Sequence, residues 1–566
     1  MFRSRRTHRN SIFPASGIQS LLGLFCAGLL LLGSGVYAAD TRLAEPLRVL
    51  ILGGGPSLEY NQVAIESNVR YVHKLLPRGT VQTTLFADGD AGHASVLYDD
   101  DLSRQSNGAF LLDLFLQGTA GESGSGSHYR KPNIGKVDGP SKKAEFARQI
   151  GRIAEEPDLS NRQLLLYFTG HGSPGRHGSR DRADYENNVY DMWGKDEALN
   201  VRECARQIGQ LPAAAPVTVV MVQCYSGAFA NLLFEGGDPN GEVISRDFAG
   251  FYATVNDRVA AGCTSAVNEA EYHDFTCYFF AALTGRDRVG RVVTGCDYNH
   301  DGRVGMNEAY CYTLLNDESI DVPVCTSDVF LRRFVVMKGA DIFQTPWPSI
   351  VAWADPAQKE ALEGLASRLK LTGDDRLKTA YDRTFRSANG NGRDPQWLER
   401  YRLAQSKFGT LLKEGRRELL RRYPDLRSAT AAAYARTRKE AIARLDRDSA
   451  EGKWKELLDA NDAVDKANQD GENQSIAESK LLRLVRLGKS VVLAHELLQS
   501  GTPQIKARYQ KLIEAEGRTL LPPVGALPKD TVDDYRGSGF LRGTMRSPNS
   551  CNCTSSTVEG ASMSGS

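Results

Sequence analysis

The sequence lacks an excess of charge of either sign. Lys and Arg number 70 and Asp and Glu number 69, so the net charge is +1 over 566 residues. Proteins that bind the phosphate backbone of nucleic acids usually carry a clear surplus of basic residues. Four arginines also lie within the first ten residues, so the rest of the chain is faintly acidic. We therefore expect no nucleic-acid partner.

Long apolar runs are absent beyond the first forty residues. A basic stretch ends at Arg9, an apolar stretch is centred on residues 21–32, and residues 36–38 place small side chains at the cleavage positions of a secretory signal. We expect a signal peptide over residues 1–39 and a secreted or periplasmic mature chain that begins near Asp40. An uncleaved anchor is the alternative, although the apolar run is short for a membrane span. No stable membrane insertion is expected after cleavage.

Two common site signatures are also missing. Three glycines at 53–55 follow a predicted strand, but neither the dinucleotide-binding fingerprint nor the Lys-Ser/Thr pair of a phosphate-binding loop comes after them. Cysteine and histidine form no regularly spaced set of the kind that binds zinc. The sequence therefore predicts no organic cofactor, and we interpret the glycines as the rim of a substrate cleft.

What the sequence does contain is two apolar strands that each lead into a reactive side chain. Residues 164–172 end in His171 and Gly172, and residues 217–227 contain Cys224. Parallel strands present their ligands at their carboxyl ends, so we expect both side chains at one edge of one sheet. A thiolate is a strong nucleophile, and an imidazole can take its proton and later give it to a leaving group. The pair predicts acyl transfer.

These two blocks resemble the caspase–haemoglobinase fold of cysteine peptidases, and within it the legumain branch. The likeness is specific in residues 168–175 and 224–231, includes a following strand at 251–254, and covers about residues 47–335. The resemblance implies a catalytic domain over residues 40–345. Its fold class would be α/β, with a mostly parallel sheet flanked by helices.

The resemblance also implies roles for individual residues. His171 would be the general base, Cys224 the nucleophile, and the amides of Gly172 and Cys224 the oxyanion hole. The chain would then be a cysteine endopeptidase that cleaves protein or peptide substrates through a thioester. A transpeptidase, in which an amine replaces water, and a catalytically silent binding protein are the alternatives.

The positions that set specificity in legumain-type enzymes differ here. That family has an Arg-His-Gln run after the first strand and an acidic residue two positions before the cysteine. This chain has Tyr60, Asn61 and Gln62 at the first place and Val222 at the second. The asparagine-binding pocket of the family is therefore not expected. Asn61 and Gln62 are candidate substrate contacts, although the polarity of a surface loop would also explain them.

Two acidic residues follow the strand predicted at 251–254. Glu271 and Asp274 are candidates for binding a basic side chain of the substrate. Acidic residues at the start of a helix are ordinarily capping or dipole partners, and a core helix is predicted over residues 275–283. Both interpretations are open from the sequence.

Residues 297–308 match the twelve-residue calcium loop of an EF-hand. The alternative is an acidic turn that caps a helix beginning near Met306. No good entering helix precedes the loop, so an isolated calcium site with a structural or regulatory role is predicted. Its oxygen ligands would come from Asp297, Asn299, Asp301, the carbonyl group of Arg303, and Glu308.

The chain contains 10 cysteines, as expected of a protein from an oxidising compartment. Cys26 lies in the predicted signal. Cys551 and Cys553 lie in a polar tail, where they could pair elsewhere, bind a soft metal or be reactive. Besides Cys224, the catalytic part holds an even number, which permits but does not prove disulfide pairing: Cys204, Cys263, Cys277, Cys296, Cys311 and Cys325.

Residues 346–520 become strongly helical after a proline-containing junction. This helical domain resembles, in its position, the inhibitory cap of legumain precursors. A glycine- and serine-rich insertion at 118–141 would suit a lid or a processing loop. Residues 521–566 lose all periodicity and are predicted to be disordered.

Overall fold

The computed structural model describes residues 47–99, 106–116, 127–176, 183–388, 395–427 and 431–523. The predicted signal peptide, the glycine- and serine-rich stretch 117–126, and the tail with Cys551 and Cys553 lie outside the described residues. In the part of the chain that is described, no helix is long and apolar enough to cross a membrane.

Eight of the strands form one mixed sheet, whose main path runs β10-β9-β8-β5-β1-β2. The pairs among β2, β1, β5, β8 and β9 are parallel, and β10 is antiparallel to β9. The far end of β5 pairs with β6, and β6 with β7, whereas β3 and β4 form a separate ribbon. The strands are β1 (Leu47–Gly54), β2 (Val81–Phe86), β3 (Val96–Asp99), β4 (Ser127–Arg130), β5 (Gln163–Arg176), β6 (Ala183–Asp191), β7 (Ala198–Asn200), β8 (Val217–Met221), β9 (Phe248–Tyr252) and β10 (Val324–Cys325).

The central strands are buried on both faces. Every residue of β1, β8 and β9 is buried, and β5 is buried from Gln163 to His171. Parallel strands covered by helices on both sides need no alternation of polar and apolar residues, which is why these segments read as continuous apolar runs. The sheet therefore brings its carboxyl ends to one edge.

Helices flank the sheet and continue into a C-terminal helical region, α12–α15, so the predicted α/β fold class is confirmed. Several helices begin at side-chain caps, such as Asn200 and Asp355. The helices are α1 (Val63–Leu75), α2 (Asn107–Leu116), α3 (Lys143–Ala154), α4 (Val201–Ile208), α5 (Phe275–Thr284), α6 (Met306–Asn316), α7 (Thr326–Phe334), α8 (Gly339–Phe343), α9 (Trp347–Trp353), α10 (Pro356–Arg368), α11 (Arg376–Ala388), α12 (Pro395–Arg422), α13 (Ala431–Ala450), α14 (Lys455–Ser500) and α15 (Pro503–Glu516).

The C-terminal helices share the core of the sheet. Leu484 and Val491 of α14 and Leu512 of α15 belong to the same buried apolar cluster as strands β1, β5 and β8. The proline-containing junction near residue 345 is packed as well, because Trp347 is buried and its backbone N–H donates to the carbonyl oxygen of Asp374. Residues from α9 onward therefore contribute to the stability of the α/β part.

A second, smaller core lies between α2 and the helices α12 and α13. Phe115 of α2 meets the ring of Trp454 edge-on, with 5.2 Å between the centroids. Leu111 and Leu112 pack in the same cluster with Leu445 of α13. Helix α2 thus packs against the C-terminal helices.

Five cysteines of the α/β part are free thiols in this structure, and burial raises the pKa of each. A buried thiol with a raised pKa is a poor nucleophile, because little of it is thiolate at neutral pH. The pairing that the even number permits is not seen among these five. They are Cys204, Cys277, Cys296, Cys311 and Cys325.

Candidate active site

The sheet places His171 and Cys224 side by side at its carboxyl edge. Strands β5 and β8 are parallel, and their last paired residues are Phe168 and Met221. His171 and Cys224 each lie three residues beyond that pair, so they follow it at the same distance along the two segments. The parallel pairing of β5 and β8 thereby brings the two segments that follow the pair close together.

Gly172 brings the two segments into direct contact. A Cβ added to Gly172 would lie 2.3 Å from the carbonyl oxygen of Cys224 and 2.7 Å from the side chain of Gln223. No side chain fits in that space, so glycine is required for the close approach. The backbone beside the histidine therefore packs on the backbone of the cysteine.

Two oxygen atoms hold the imidazole of His171 from one side. Its Nε2 lies 2.9 Å from the carbonyl oxygen of Tyr60 and 2.9 Å from the side-chain oxygen of Gln62. A carbonyl can only accept a hydrogen bond, so the ring proton lies on Nε2 in this arrangement. Nδ1 then carries the lone pair and is the nitrogen that can take a proton. The Tyr60 ring meets the imidazole edge-on, with 5.6 Å between centroids.

The sulfur of Cys224 lies against the loop that follows β9. The backbone N–H of Ala260 donates to Sγ at 3.2 Å, and Sγ lies 3.7 Å from the Ala260 carbonyl oxygen. A hydrogen bond donated to sulfur favours the thiolate over the thiol. Cys224 is 2% exposed and His171 is 8% exposed. Both side chains are therefore almost fully covered by the surrounding protein.

The turn after Cys224 has an uncommon backbone conformation. Tyr225 has φ 60°, in the left-handed region that non-glycine residues rarely occupy. Its N–H donates to the carbonyl of Arg258 at 2.8 Å, and its own carbonyl accepts from the Asn188 side chain at 3.0 Å. Such a conformation persists only where neighbours impose it, and it is enriched at functional sites. The turn starts a 3-10 helix over Ser226–Leu233.

Gly227 lets this turn pack against the end of β9. A Cβ at that position would lie 2.6 Å from the carbonyl oxygen of Thr254 and 2.7 Å from the nitrogen of Asn256. The glycine two residues after the turn is therefore needed for packing. A thiol before a sharp turn, an imidazole with a defined tautomer and adjacent backbone are groups that acyl transfer can use.

Comparisons with known proteins assign no family. Neither a family model nor a curated protein matches the chain. Among solved structures, the chain is similar to protein GSU0716 from Geobacter sulfurreducens, with 12% sequence identity and a TM-score of 0.27. The similarity covers 50% of this chain and 92% of the other. A likeness at this level carries no argument about function.

The candidate substrate contacts on the loop after β1 have structural partners. Asn61 is buried, accepts from the N–H of Gly55 at 3.2 Å and donates to the carbonyl of Ser95 at 2.8 Å. Its side chain therefore links the loop to Ser95. Gln62 is half-buried, and its side-chain oxygen lies 2.9 Å from Nε2 of His171.

The acidic candidates after β9 also differ in environment. Asp274 is buried, caps α5 by accepting from the N–H of Cys277 at 2.8 Å, and lies 3.7 Å from the guanidinium of Arg288. Asp274 therefore has the capping role that the sequence left open, together with a nearby charge partner. Glu271 is exposed, at the end of a 3-10 helix.

The segment 297–308 forms a tight turn held by its own carboxylates. Asp297 accepts from the N–H groups of Asp301 at 3.1 Å and Gly302 at 3.0 Å. Asp301 in turn accepts from the N–H of Arg303 at 2.9 Å. Asn299 accepts from the Asp301 N–H at 2.8 Å. The oxygen atoms at the alternate positions thus lie on one turn.

Glu308, the last position of the loop, bonds to backbone N–H groups. It is buried and accepts from the N–H groups of Tyr298 at 2.8 Å, Asn299 at 3.0 Å and Gly305 at 2.8 Å. A carboxylate has roughly four lone-pair sites, so bidentate binding would require giving up at least one of these bonds. Within the described residues, no three His, Cys, Asp or Glu side chains are gathered to hold a metal.

Three neighbours of the reactive pair carry no signal in the sequence. Tyr60 acts through its carbonyl oxygen and Ala260 through its backbone N–H, and any residue type supplies these groups. Cys263 is half-exposed, and its Sγ lies 3.7 Å from the carbonyl oxygen of Gly170. This second thiol therefore contacts Gly170, the residue before His171 on β5. Its position depends on the path of the loop that follows β9.

Proposed function

We propose that this chain is an exported cysteine endopeptidase of the legumain-like, caspase–haemoglobinase type, with protein or peptide substrates. The observation that carries the proposal is the close packing of Gly172 on the backbone of Cys224. That contact places Gly172, which follows the proposed base His171, directly against Cys224, the proposed nucleophile. The position of both strand ends at the carboxyl edge of a parallel sheet supports it, since such edges hold active sites.

In the proposed reaction, Nδ1 of His171 takes the proton from Sγ of Cys224. The thiolate attacks the carbonyl carbon of the scissile bond, and the amides of Gly172 and Cys224 stabilise the oxyanion. The imidazolium then gives its proton to the leaving amine as the C–N bond breaks. Water, activated by His171, hydrolyses the thioester and restores the thiol. The carbonyl of Tyr60 keeps the Nε2 proton in place throughout.

The two alternatives share parts of this site. An amine that attacks the thioester instead of water would give transpeptidation through the same intermediate. A catalytically silent binding protein would use the cleft without forming any thioester. Only the last alternative predicts that Cys224 has no His171-dependent reactivity.

A peptide with an electrophilic warhead separates the two enzymes, which form a thioester, from the binding protein. We expect the probe to modify Cys224 in the wild type and to modify it at least about a hundredfold more slowly in His171→Ala, the range in which an acid–base group contributes. Cys263→Ala is the matched control, because it removes the neighbouring thiol and leaves the proposed pair intact. Equal labelling of the wild type and His171→Ala would argue for a binding protein.

Calcium binding by residues 297–308 is a separate proposal. Its support is the set of hard oxygen donors at alternate positions, held on one turn by backbone N–H groups. The ion would draw on Asp297, Asn299, Asp301, the Arg303 carbonyl and Glu308, and its part would be to stabilise the turn. Isothermal titration with calcium tests the proposal, and Asp297→Asn should weaken the measured affinity.

A further inference from the structure

Helix α14 reaches the loop that precedes β10. Arg483 of α14 is buried, and its guanidinium donates to the carbonyl oxygens of Asp321 at 2.7 Å, Ser319 at 2.8 Å and Asp317 at 2.5 Å. It also lies 3.4 Å from the Asp317 carboxylate. Arginine presents five N–H donors in a planar fork, so one side chain can hold several carbonyls in fixed directions. Arg483 therefore fixes the path of residues 317–321.

This segment holds the loop beside the reactive cysteine. The Asp321 carboxylate accepts from the N–H of Ala261 at 2.7 Å and from the N–H of Phe275 at 3.1 Å. The neighbouring Ala260 donates its N–H to Sγ of Cys224 at 3.2 Å. Arg483 thus bonds to the backbone of Asp321, the Asp321 carboxylate bonds to Ala261, and the adjacent Ala260 bonds to the sulfur.

A second contact between α14 and the same site runs through Arg258. The carbonyl of Arg258 accepts the N–H of Tyr225, the residue after the nucleophile, at 2.8 Å. Its guanidinium lies 3.8 Å from Glu478 and 3.4 Å from the hydroxyl of Ser479. Ser479 also donates to the carbonyl of Ile320 at 2.9 Å. One turn of α14 therefore contacts both the loop with Arg258 and Ala260, which borders Cys224, and the segment 317–321 that supports this loop.

We propose that Arg483 is a positioning residue for Cys224, so that α14 completes the reactive site. This differs from the expectation that the helical region is a removable inhibitory cap. The inference builds on the proposed peptidase function for the reaction that Cys224 performs, but the placement of the sulfur is a separate property. Loss of Arg483 would release residues 317–321, then the 260–261 backbone, and with it the N–H donated to Sγ.

The charges around Arg483 support this dependence. Burial raises the pKa of Asp317 and of Asp321, and the positive charge of Arg483 opposes that rise. Without the guanidinium, the carbonyl groups of residues 317, 319 and 321 would lose their hydrogen-bond donor. The buried carboxyl groups of Asp317 and Asp321 would lose the nearby positive charge. Buried polar groups left without a partner force a rearrangement, so the loop cannot keep its path.

The test measures how fast iodoacetamide alkylates Cys224 between pH 5 and pH 9, followed by mass spectrometry of the Cys224 peptide. For Arg483→Met we expect the rate at pH 7 to fall at least about tenfold, as for losing a hydrogen bond to a charged group. The pH midpoint of the rate should rise, because the thiolate loses a donor. Arg483→Lys, which restores the charge and some donors, should give an intermediate rate.

The matched control is Arg48→Met. Arg48 is a buried arginine at the start of β1, at the opposite end of the strands, and it bonds to Glu156, Thr83 and backbone carbonyls. Its loss should reduce thermal stability but leave the alkylation rate of Cys224 within about twofold of wild type, since it contacts no part of the site. The pH profile should also be unchanged.

A folded Arg483→Met protein with the wild-type rate and pH profile would overturn the inference. If that variant fails to fold, Asp321→Asn replaces it, because asparagine has one acceptor oxygen for the two N–H groups of Ala261 and Phe275. Slower alkylation of Asp321→Asn supports the inference, and an unchanged rate refutes it. Alkylation needs no peptide cleavage, so a chain that cleaves nothing but shows these rate changes would refute only the peptidase function.

Discussion

Asp328 offers a quantitative test of how firmly α14 is joined to the sheet. Its carboxylate is buried at the start of α7 and lies 2.8 Å from Arg332 on the same helix and 2.6 Å from Arg486 on α14. Ser490, one turn further along α14, also donates to it. Asn has nearly the same shape as Asp but carries no charge, so Asp328→Asn removes the charge that joins the two helices.

The expected loss is about 2–4 kcal/mol. Breaking a fully buried ion pair by removing one partner costs about 3–5 kcal/mol. The side chains of Arg332 and Arg486 are each 25% exposed, so water recovers part of that energy. Asp382→Asn is the control, because its pair with Lys378 is solvent-exposed and should be worth about 0.3–0.5 kcal/mol.

The assay is equilibrium unfolding in guanidinium chloride, followed by circular dichroism in the far and near ultraviolet. If α14 and the sheet share one core, Asp328→Asn should shift both signals together. A loss below about 1 kcal/mol, or a shift confined to part of the helical signal, would refute the reasoning.

The pH dependence of this loss has a definite sign. Burial raises the pKa of Asp328, but Arg332 and Arg486 outweigh burial, and the pKa lies well below its ordinary value. A lowered folded-state pKa adds stability that is present above the unfolded-state pKa of about 4 and is lost as the pH falls toward the folded-state pKa. The difference between wild type and Asp328→Asn should therefore be constant from about pH 8 to pH 5 and shrink in more acidic solution.

The other predictions concern the site and the calcium loop. Gly172→Ala should lower kcat/KM at least about a hundredfold, because the added methyl group would displace the carbonyl of Cys224; circular dichroism should show a retained fold, and unaltered kinetics would contradict the close packing. Gln62→Ala should lower kcat/KM by less than about tenfold, since the imidazole of His171 keeps its second acceptor; a larger loss, measured with the same substrate, would make Gln62 a direct contributor. Glu308→Gln should reduce the calcium-dependent rise in melting temperature, which differential scanning fluorimetry measures, and an undiminished rise would place the ion elsewhere.

Local sequence patterns predicted the elements that carry the reactive pair. The apolar run before the three glycines forms β1, and the apolar segment after Asp274 forms α5. These elements are specified by continuous apolar stretches and by a capping side chain, both of which act within a few residues. The predicted neighbourhood of His171 and Cys224 followed from the parallel order of their strands.

The support of the site could not be predicted in the same way. Arg483 and the carbonyl of Asp321 are 162 residues apart in the chain. Contacts of this kind depend on how α14 lies on the finished core, and the acceptors are backbone atoms with no residue signature. The domain boundary predicted near residue 345 rests on a change in composition. Composition does not indicate whether the segments on its two sides share a core.

Asp274 shows the opposite case, in which the sequence left two roles open. Its position before an apolar helix fitted both a substrate contact and an N-cap. The structure has the cap, and the nearby guanidinium of Arg288 adds a charge partner. An acidic residue suits both roles, so the residue type alone does not show the cap, whereas the three-dimensional structure does.

The central claim is that Cys224 and His171 cleave peptide bonds. The most direct measurement incubates the purified protein with a diverse peptide library, with and without calcium, and reads the products by mass spectrometry. We expect the wild type to cleave at defined sites, and we expect no cleavage by Cys224→Ala. When the reaction is run in ¹⁸O-labelled water, the new carboxyl groups should carry the label. Products that persist in Cys224→Ala, or a wild type that cleaves nothing under either condition, would contradict the peptidase account.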